Sequence, residues 1–163
     1  HLAESAGPKL FALQMAAQRD GFDAMIIDTA GGATEDVADS VVLADLSLLI
    51  VRPTYLDLAA AAQTVDLVRR LRRPMLIVMN QAPHPRGGAE APAVRRALQA
   101  IAVLRTPVAP TVLRSRAIYQ TALETGRSAE ESGDAAAQAE VASLWAFVER
   151  LTYGRARAVA DGA

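Results

Sequence analysis

Three short apolar runs punctuate the chain: Ala24-Met25-Ile26-Ile27, Leu46-Ser47-Leu48-Leu49-Ile50-Val51 and Met75-Leu76-Ile77-Val78-Met79. None alternates polar with apolar side chains, which is the pattern of strands covered on both faces. Each stops at a polar or turn residue: Asp28, Arg52-Pro53 and Asn80. A weaker run, Val108 to Leu113, contains Pro110, which cannot donate to a ladder, and fits an edge or irregular strand. Between the runs the apolar spacing changes to three and four. From Leu58, the positions Ala62, Val65, Val68 and Leu71 share one helical face. Residues 89–102 predict a second helix. Val141, Leu144, Trp145, Val148 and Leu151 predict a long third one with Asp134 as its N-cap. Lys9 to Arg19 suits a helix leading into the first run.

Apolar runs alternating with helical segments at roughly 25–30 residue intervals imply βαβ units and a parallel sheet. The expected fold is therefore α/β, a mainly parallel sheet with helices on both faces. One domain spans 1–153, with 154–163 as a tail. In such sheets ligands bind at the carboxyl ends of the strands, which directs attention to the polar residues that end the runs.

Composition narrows the function classes. Hydrophobic residues make up 52% of the 163, and the formal net charge is −1. That balance fits a globular domain and excludes a strongly basic nucleic-acid binder or an acidic disordered tail. Without cysteine there are no disulfides, thiolates or zinc-thiolate sites, which is compatible with a reducing compartment. The apolar stretch 41–51 is broken by Asp45 and too short to span a bilayer, and no signal peptide opens the chain. Lys9 is the sole lysine, and Gly7-Pro8-Lys9 is not a phosphate-cradling loop. Because the first residue is His1, the expectation is that a preceding segment has been left out.

Gly21 to Gly32 carries the most specific chemistry. A carboxylate at a strand end, Asp28, can hold a magnesium-bound water, since hard cations want fixed oxygen ligands. Thr29 adds a hydroxyl, while Gly31 and Gly32 let backbone approach a phosphate. The alternative is that Asp28 makes a turn and Thr29 caps the next helix. Asn80 either recognises a ligand through its amide or is a turn residue. Arg69, Arg70, Arg72 and Arg73 read as a solvated helix end, where the dipole favours cations. His84 sits in a Pro- and Gly-rich loop without a partner at metal-ligand spacing, and no Gly-x-Ser-x-Gly turn supports serine hydrolysis.

Taken in order, Ile26-Ile27-Asp28-Thr29, Pro53-Thr54-Tyr55-Leu56-Asp57-Leu58, Val78-Met79-Asn80 and Arg116-Ala117-Ile118-Tyr119 with Gly126-Arg127-Ser128 resemble the ParA/MinD family of P-loop ATPases. The likeness runs from about Phe22 to Val148. It implies a Rossmann-like P-loop fold, here incomplete, and a cytoplasmic ATPase switch that binds ATP with magnesium, dimerises and hydrolyses slowly. Asp28 would organise the metal and the attacking water together with Thr29. Gly31 and Gly32 would sense the γ-phosphate, and Asn80, with Pro110 and Leu113 as a wall, would hold adenine. Partners implied are a second copy, an adaptor or cargo protein, and nonspecific DNA, for whose phosphates Arg69, Arg70, Arg72 and Arg73 would be the patch, in plasmid or chromosome partitioning, conjugative transfer or positioning of a secretion machine.

Two departures matter. No Gly-rich loop with its lysines is present, and Ala30-Gly31-Gly32 replaces the family's Pro-Pro. In the family the P-loop strand lies beside the Walker B strand. Without it the run ending at Asp28 should lack a neighbour and apolar faces should be exposed. The chain alone is expected to be inactive. The competing readings are a noncatalytic interaction module and a phosphoacceptor receiver domain, the latter disfavoured for want of a late lysine.

Overall fold

Five consecutive residues, Met75–Met79 (β2), are all buried, and the rest of the chain is arranged around them. β2 pairs in parallel with Ser47–Val51 (β1), in the register Ser47↔Met75 through Val51↔Met79. On its other side the Ile77 N–H donates to the Pro107 carbonyl (2.9 Å), and Ala109 N–H returns a bond to the Ile77 carbonyl (2.8 Å). Pro110 then bulges the chain away until Leu113 N–H reaches the Met79 carbonyl (2.9 Å). The run 108–113 is thus the irregular strand that its proline dictates. A computed structural model provides this description, for residues 2–4 and 7–160, with side chains for 2–4 and 9–153. His1 and residues 161–163 lie outside it.

Helices cover both faces, as the unalternating runs require. Gly7–Arg19 (α1) packs on Glu35–Leu43 (α2). Tyr55–Arg70 (α3) and Pro92–Val103 (α4) cover one face of the sheet, where Val65, Val68, Val94, Ala97 and Ile101 close over Val51, Ile77 and Met79. Ala135–Ala160 (α6) covers the other, setting Val148 with Leu144, Phe147 and Leu151 on Leu76 and Val78. Ile118–Glu124 (α5) and a short 3-10 turn, Glu130–Ser132, lead into α6. Its backbone continues as helix to Ala160, into the stretch read as a tail.

Local chemistry sets the helix starts. Asp134 caps α6 through Ala136 N–H (3.0 Å) and Ala137 N–H (2.9 Å), as its position predicts. Thr54 caps α3 through Asp57 N–H (3.2 Å), and Asp57 reaches back to Arg52 N–H (3.2 Å) and Arg52 Nε (2.6 Å). Proline occupies the first turn of α4, which needs no donor there. The helix after Asp28 is capped by Thr34, through Val37 N–H at 3.4 Å, and not by Thr29.

One predicted element does not form. Residues 24–30 take no regular secondary structure and belong to no ladder, and Ile26 is 80% exposed. An apolar run becomes a strand only when another strand satisfies its backbone, and nothing in the described chain pairs with it. β1 shows the same want of a neighbour. Leu48 and Ile50, on the face of the sheet that carries α6, are 40% and 50% exposed.

The two helix-to-strand turns share one design, Leu71-Arg72-Arg73-Pro74 and Leu104-Arg105-Thr106-Pro107. In the first, Arg73 N–H bonds the Val68 carbonyl (3.2 Å) and Arg72 N–H the Arg69 carbonyl (3.0 Å), a Schellman closure. Arg105 N–H makes the equivalent bond to the Ala102 carbonyl (3.1 Å). Arg72 and Arg105 therefore sit at φ 53° and 47°, left-handed positions that favour glycine. Such a residue costs of order 1 kcal/mol or more, which exceeds both the entropy a glycine adds to the unfolded chain and a cation's attraction to the helix end. Arg72→Gly and Arg105→Gly should each stabilise the fold by about 0.5–1 kcal/mol. Urea denaturation followed by far-ultraviolet circular dichroism would read this, and a lower midpoint in either variant would contradict the assignment.

Candidate functional site

The carboxyl ends of the strands converge on Asn80. β2 hands its last backbone bond, Asn80 N–H to the Val51 carbonyl at 2.8 Å, across to β1. The chain then turns through Gln81, at φ 49°, whose N–H is taken by Asn80 Oδ1 (2.8 Å). Beyond the turn, Ala82 N–H bonds the Leu113 carbonyl (3.1 Å) and Ser115 N–H the Ala82 carbonyl (2.9 Å). Residues 79–82 and 113–115 are thereby stitched together, which sets Leu113 beside Asn80, with Pro110 exposed on the preceding bulge. Asn80 is half-buried. Its oxygen already serves the turn yet keeps one lone pair, and its amide nitrogen has no partner among the described residues, so the group can still donate and accept together.

A polar network fixes this wall from behind. The Arg114 guanidinium forms two parallel bonds to Glu90 (2.9 and 2.7 Å) and a third to the Pro83 carbonyl (3.0 Å), pinning both stems of the loop 83–90. Arg114 N–H donates to Glu140 on α6 (3.1 Å). The same carboxylate accepts from Arg116 Nη2 (2.7 Å) and the Tyr119 hydroxyl (3.2 Å). The Arg-x-x-Tyr pair quoted from the sequence thus grips a single glutamate. Gly126, at φ 66°, ends α5, and Ser128 exchanges bonds with Glu131 (2.9 and 3.3 Å), a reciprocal cap that starts the 3-10 turn.

The network has definite electrostatics. Burial alone would push the Glu140 carboxyl up, but Arg116, the Arg114 N–H and Tyr119 outweigh it and hold Glu140 below the ordinary value of 4.5. Arg114 lowers Glu90 likewise. Burial, with the Glu140 carboxylate alongside, pushes the Tyr119 phenol up to about 12, so it remains a donor.

The other candidate residues stand apart. Asp28, Thr29, Gly31 and Gly32 are exposed in the unpaired stretch before α2, and a Cβ at either glycine would meet nothing within 4 Å. No hydrogen bond or ion pair joins Asp28 or Thr29 to Asn80, Pro110 or Leu113 among the described residues. Asp28 is thus not at the end of a buried strand, because that strand lacks its neighbour. No group of three or more His, Asp or Glu side chains among the described residues could hold a metal ion. Magnesium bound with a nucleotide needs only one or two protein carboxylates, which Asp28 could supply in part, but it also needs the phosphates held. Lys9 lies exposed on α1, and among the described residues no Gly-rich loop at the strand ends carries a lysine. The residues present fit a base edge and one metal-side carboxylate, and do not fit a triphosphate. His84 lies exposed in the loop 83–90. Sequence reasoning missed Glu90 and Glu140, which meet their arginines at a separation of 24 positions and carry no local pattern.

Both depressed carboxyls stabilise the fold fully above about pH 4.5, and that contribution is lost as pH falls through their lower folded-state values. Glu140→Gln should cost about 2 kcal/mol at neutral pH and flatten the acid limb of stability against pH. Equilibrium unfolding between neutral pH and about pH 3 would measure it. An unchanged acid limb would show that Glu140 titrates like a free side chain.

No family profile matches the sequence, and no curated protein does. Among solved structures, apo McdA of Cyanothece aligns at a TM-score of 0.68 and 18% identity, covering 81% of this chain and 55% of that one. The chain spans about half the length of that protein. What the two share is the fold, a mixed α/β arrangement of helices about a small parallel sheet similar to that of a ParA-like P-loop protein.

Proposed function

We propose that this chain is the base-binding, C-terminal part of a ParA-like ATPase switch. The observation that carries the reading is the half-buried Asn80 amide at the end of β2, stitched beside Leu113, within a fold shared with apo McdA. Asn80 would offer a donor and an acceptor to the edge of adenine, with Leu113 and Pro110 as the wall. Asp28 and Thr29 would serve magnesium and the attacking water once a neighbouring strand orders them, and Gly31 and Gly32 would let backbone reach the γ-phosphate. The phosphates themselves would be gripped by residues outside this stretch.

In the intact protein, ATP with magnesium would drive homodimerisation, and slow hydrolysis would reset a switch that partitions or positions a cargo through an adaptor. The exposed Leu48 and Ile50 of β1, and Ile26 in the unpaired run, support the same reading, since apolar side chains left uncovered suit a further packed element. They equally favour a second reading, a noncatalytic interaction module that uses this surface for a protein partner.

Two measurements on the purified chain separate these. It should show no ATP turnover, because no described residue is placed to hold β- and γ-phosphates; measurable turnover would refute that. Titration of the isotope-labelled chain with adenosine should move the Asn80 side-chain and Leu113 amide resonances, guanosine should not, and Asn80→Ala should abolish the response. Equal responses to both nucleosides, or none, would discard the base site and leave the interaction module.

A further inference from the structure

The amino end of the sheet carries a second feature, remote from Asn80. The two left-handed turns, at Arg72 and Arg105, feed neighbouring strands, because Ile77 pairs with Val108. Neighbouring strands lie roughly 5 Å apart, so the turns are side by side. Arg69 ties them together, donating from α3 to the Leu104 carbonyl and to Thr106 Oγ1 (3.3 Å). Arg73 donates to the Ala44 carbonyl (2.7 Å), which anchors the end of α2 to the same edge. Arg69 and Arg73 are thus used by the fold. Arg70, Arg72 and Arg105 are exposed and form no ion pair among the described residues. Alongside, an open depression of about 550 Å³ is lined by Ala33, Gln63, Asp66, Arg69 and Arg70.

The dipole of a helix accounts for cations in its last turn, and so for Arg69 and Arg70. It does not account for arginine at the one position past each helix where glycine is the favoured residue. A disfavoured backbone state kept twice, on adjacent turns of the same edge, points to a use for the side chains. We propose that Arg70, Arg72 and Arg105 form a docking edge for an acidic protein segment rich in Asp and Glu.

Charge decides between that partner and nucleic acid. Nucleic-acid surfaces carry a broad basic excess, whereas this chain has 17 basic and 18 acidic residues and a formal net charge of −1. Asp45, just before β1, and Asp66, in the depression, flank the edge and would repel a continuous polyphosphate. A short acidic segment can set carboxylates on the guanidinium forks and pass between these aspartates.

The test exploits the backbone. Arg72→Gly/Arg105→Gly removes both charges while relieving both turns, so a loss of binding cannot come from a damaged fold. Fluorescence anisotropy with a labelled short peptide of glutamates spaced by glycine should show salt-sensitive binding to the unaltered chain, about tenfold weaker in the double glycine variant. Arg86→Ala/Arg127→Ala, which removes the same charge elsewhere, should bind as the unaltered chain does. Undiminished binding by the glycine variant, equal loss in the control, or no binding to the unaltered chain would overturn the proposal. So would tighter binding of a short mixed-sequence DNA duplex, which would make the edge a nucleic-acid surface.

Discussion

The architecture depends on β2 being buried on every side. Its five side chains are shared between two cores, alternate residues facing α3 with α4 and facing α6, and each is worth about 2 kcal/mol of apolar burial. Its backbone is shared as well, between β1 on one flank and the bulged segment around Val108 and Leu113 on the other. A strand with both faces and both edges occupied has no freedom of register, since a slip of one residue would exchange the two cores. The positions of Asn80 at one end and Arg73-Pro74 at the other follow directly.

Those two ends are built by different means. At the carboxyl end, side chains reach across long separations: Arg114 to Glu90, and Arg116 with Tyr119 to Glu140. The groups are partly shielded and mutually satisfied, so the network fixes geometry as well as adding stability. At the amino end the connections are local, two helix closures with arginines set into them. Here Arg69 and Arg73 bond to backbone carbonyls, while Arg70, Arg72 and Arg105 form no ion pair among the described residues.

How much of this was legible in the sequence depended on how far each signal reached. Met75–Met79 announced a doubly covered strand because burial on both faces removes alternation, and Asp134 announced the start of α6 because a cap acts on the next three residues. Pro110 announced an irregular strand because it lacks a donor. Ala24–Ile27 misled for an equally physical reason: composition describes the environment a segment suits, whereas a strand also requires a partner. Asp28 inherits that outcome, and its carboxylate lies exposed in an unpaired segment. Asn80 was legible as a strand terminus, but its double duty as turn acceptor and open amide needed coordinates. Glu90 and Glu140 were invisible, since an isolated glutamate on a helix or loop looks like any solvated one until the arginine it meets is located.

β1 has one flank paired and the other open, with Leu48 and Ile50 beside it. Native sheets blunt such margins with charge, proline or a covering loop, and no described strand pairs with this flank. Each encounter between two copies therefore presents one template to another. At high concentration the working lifetime of the isolated chain would then depend on collision frequency as well as on equilibrium stability, and dilution would prolong it.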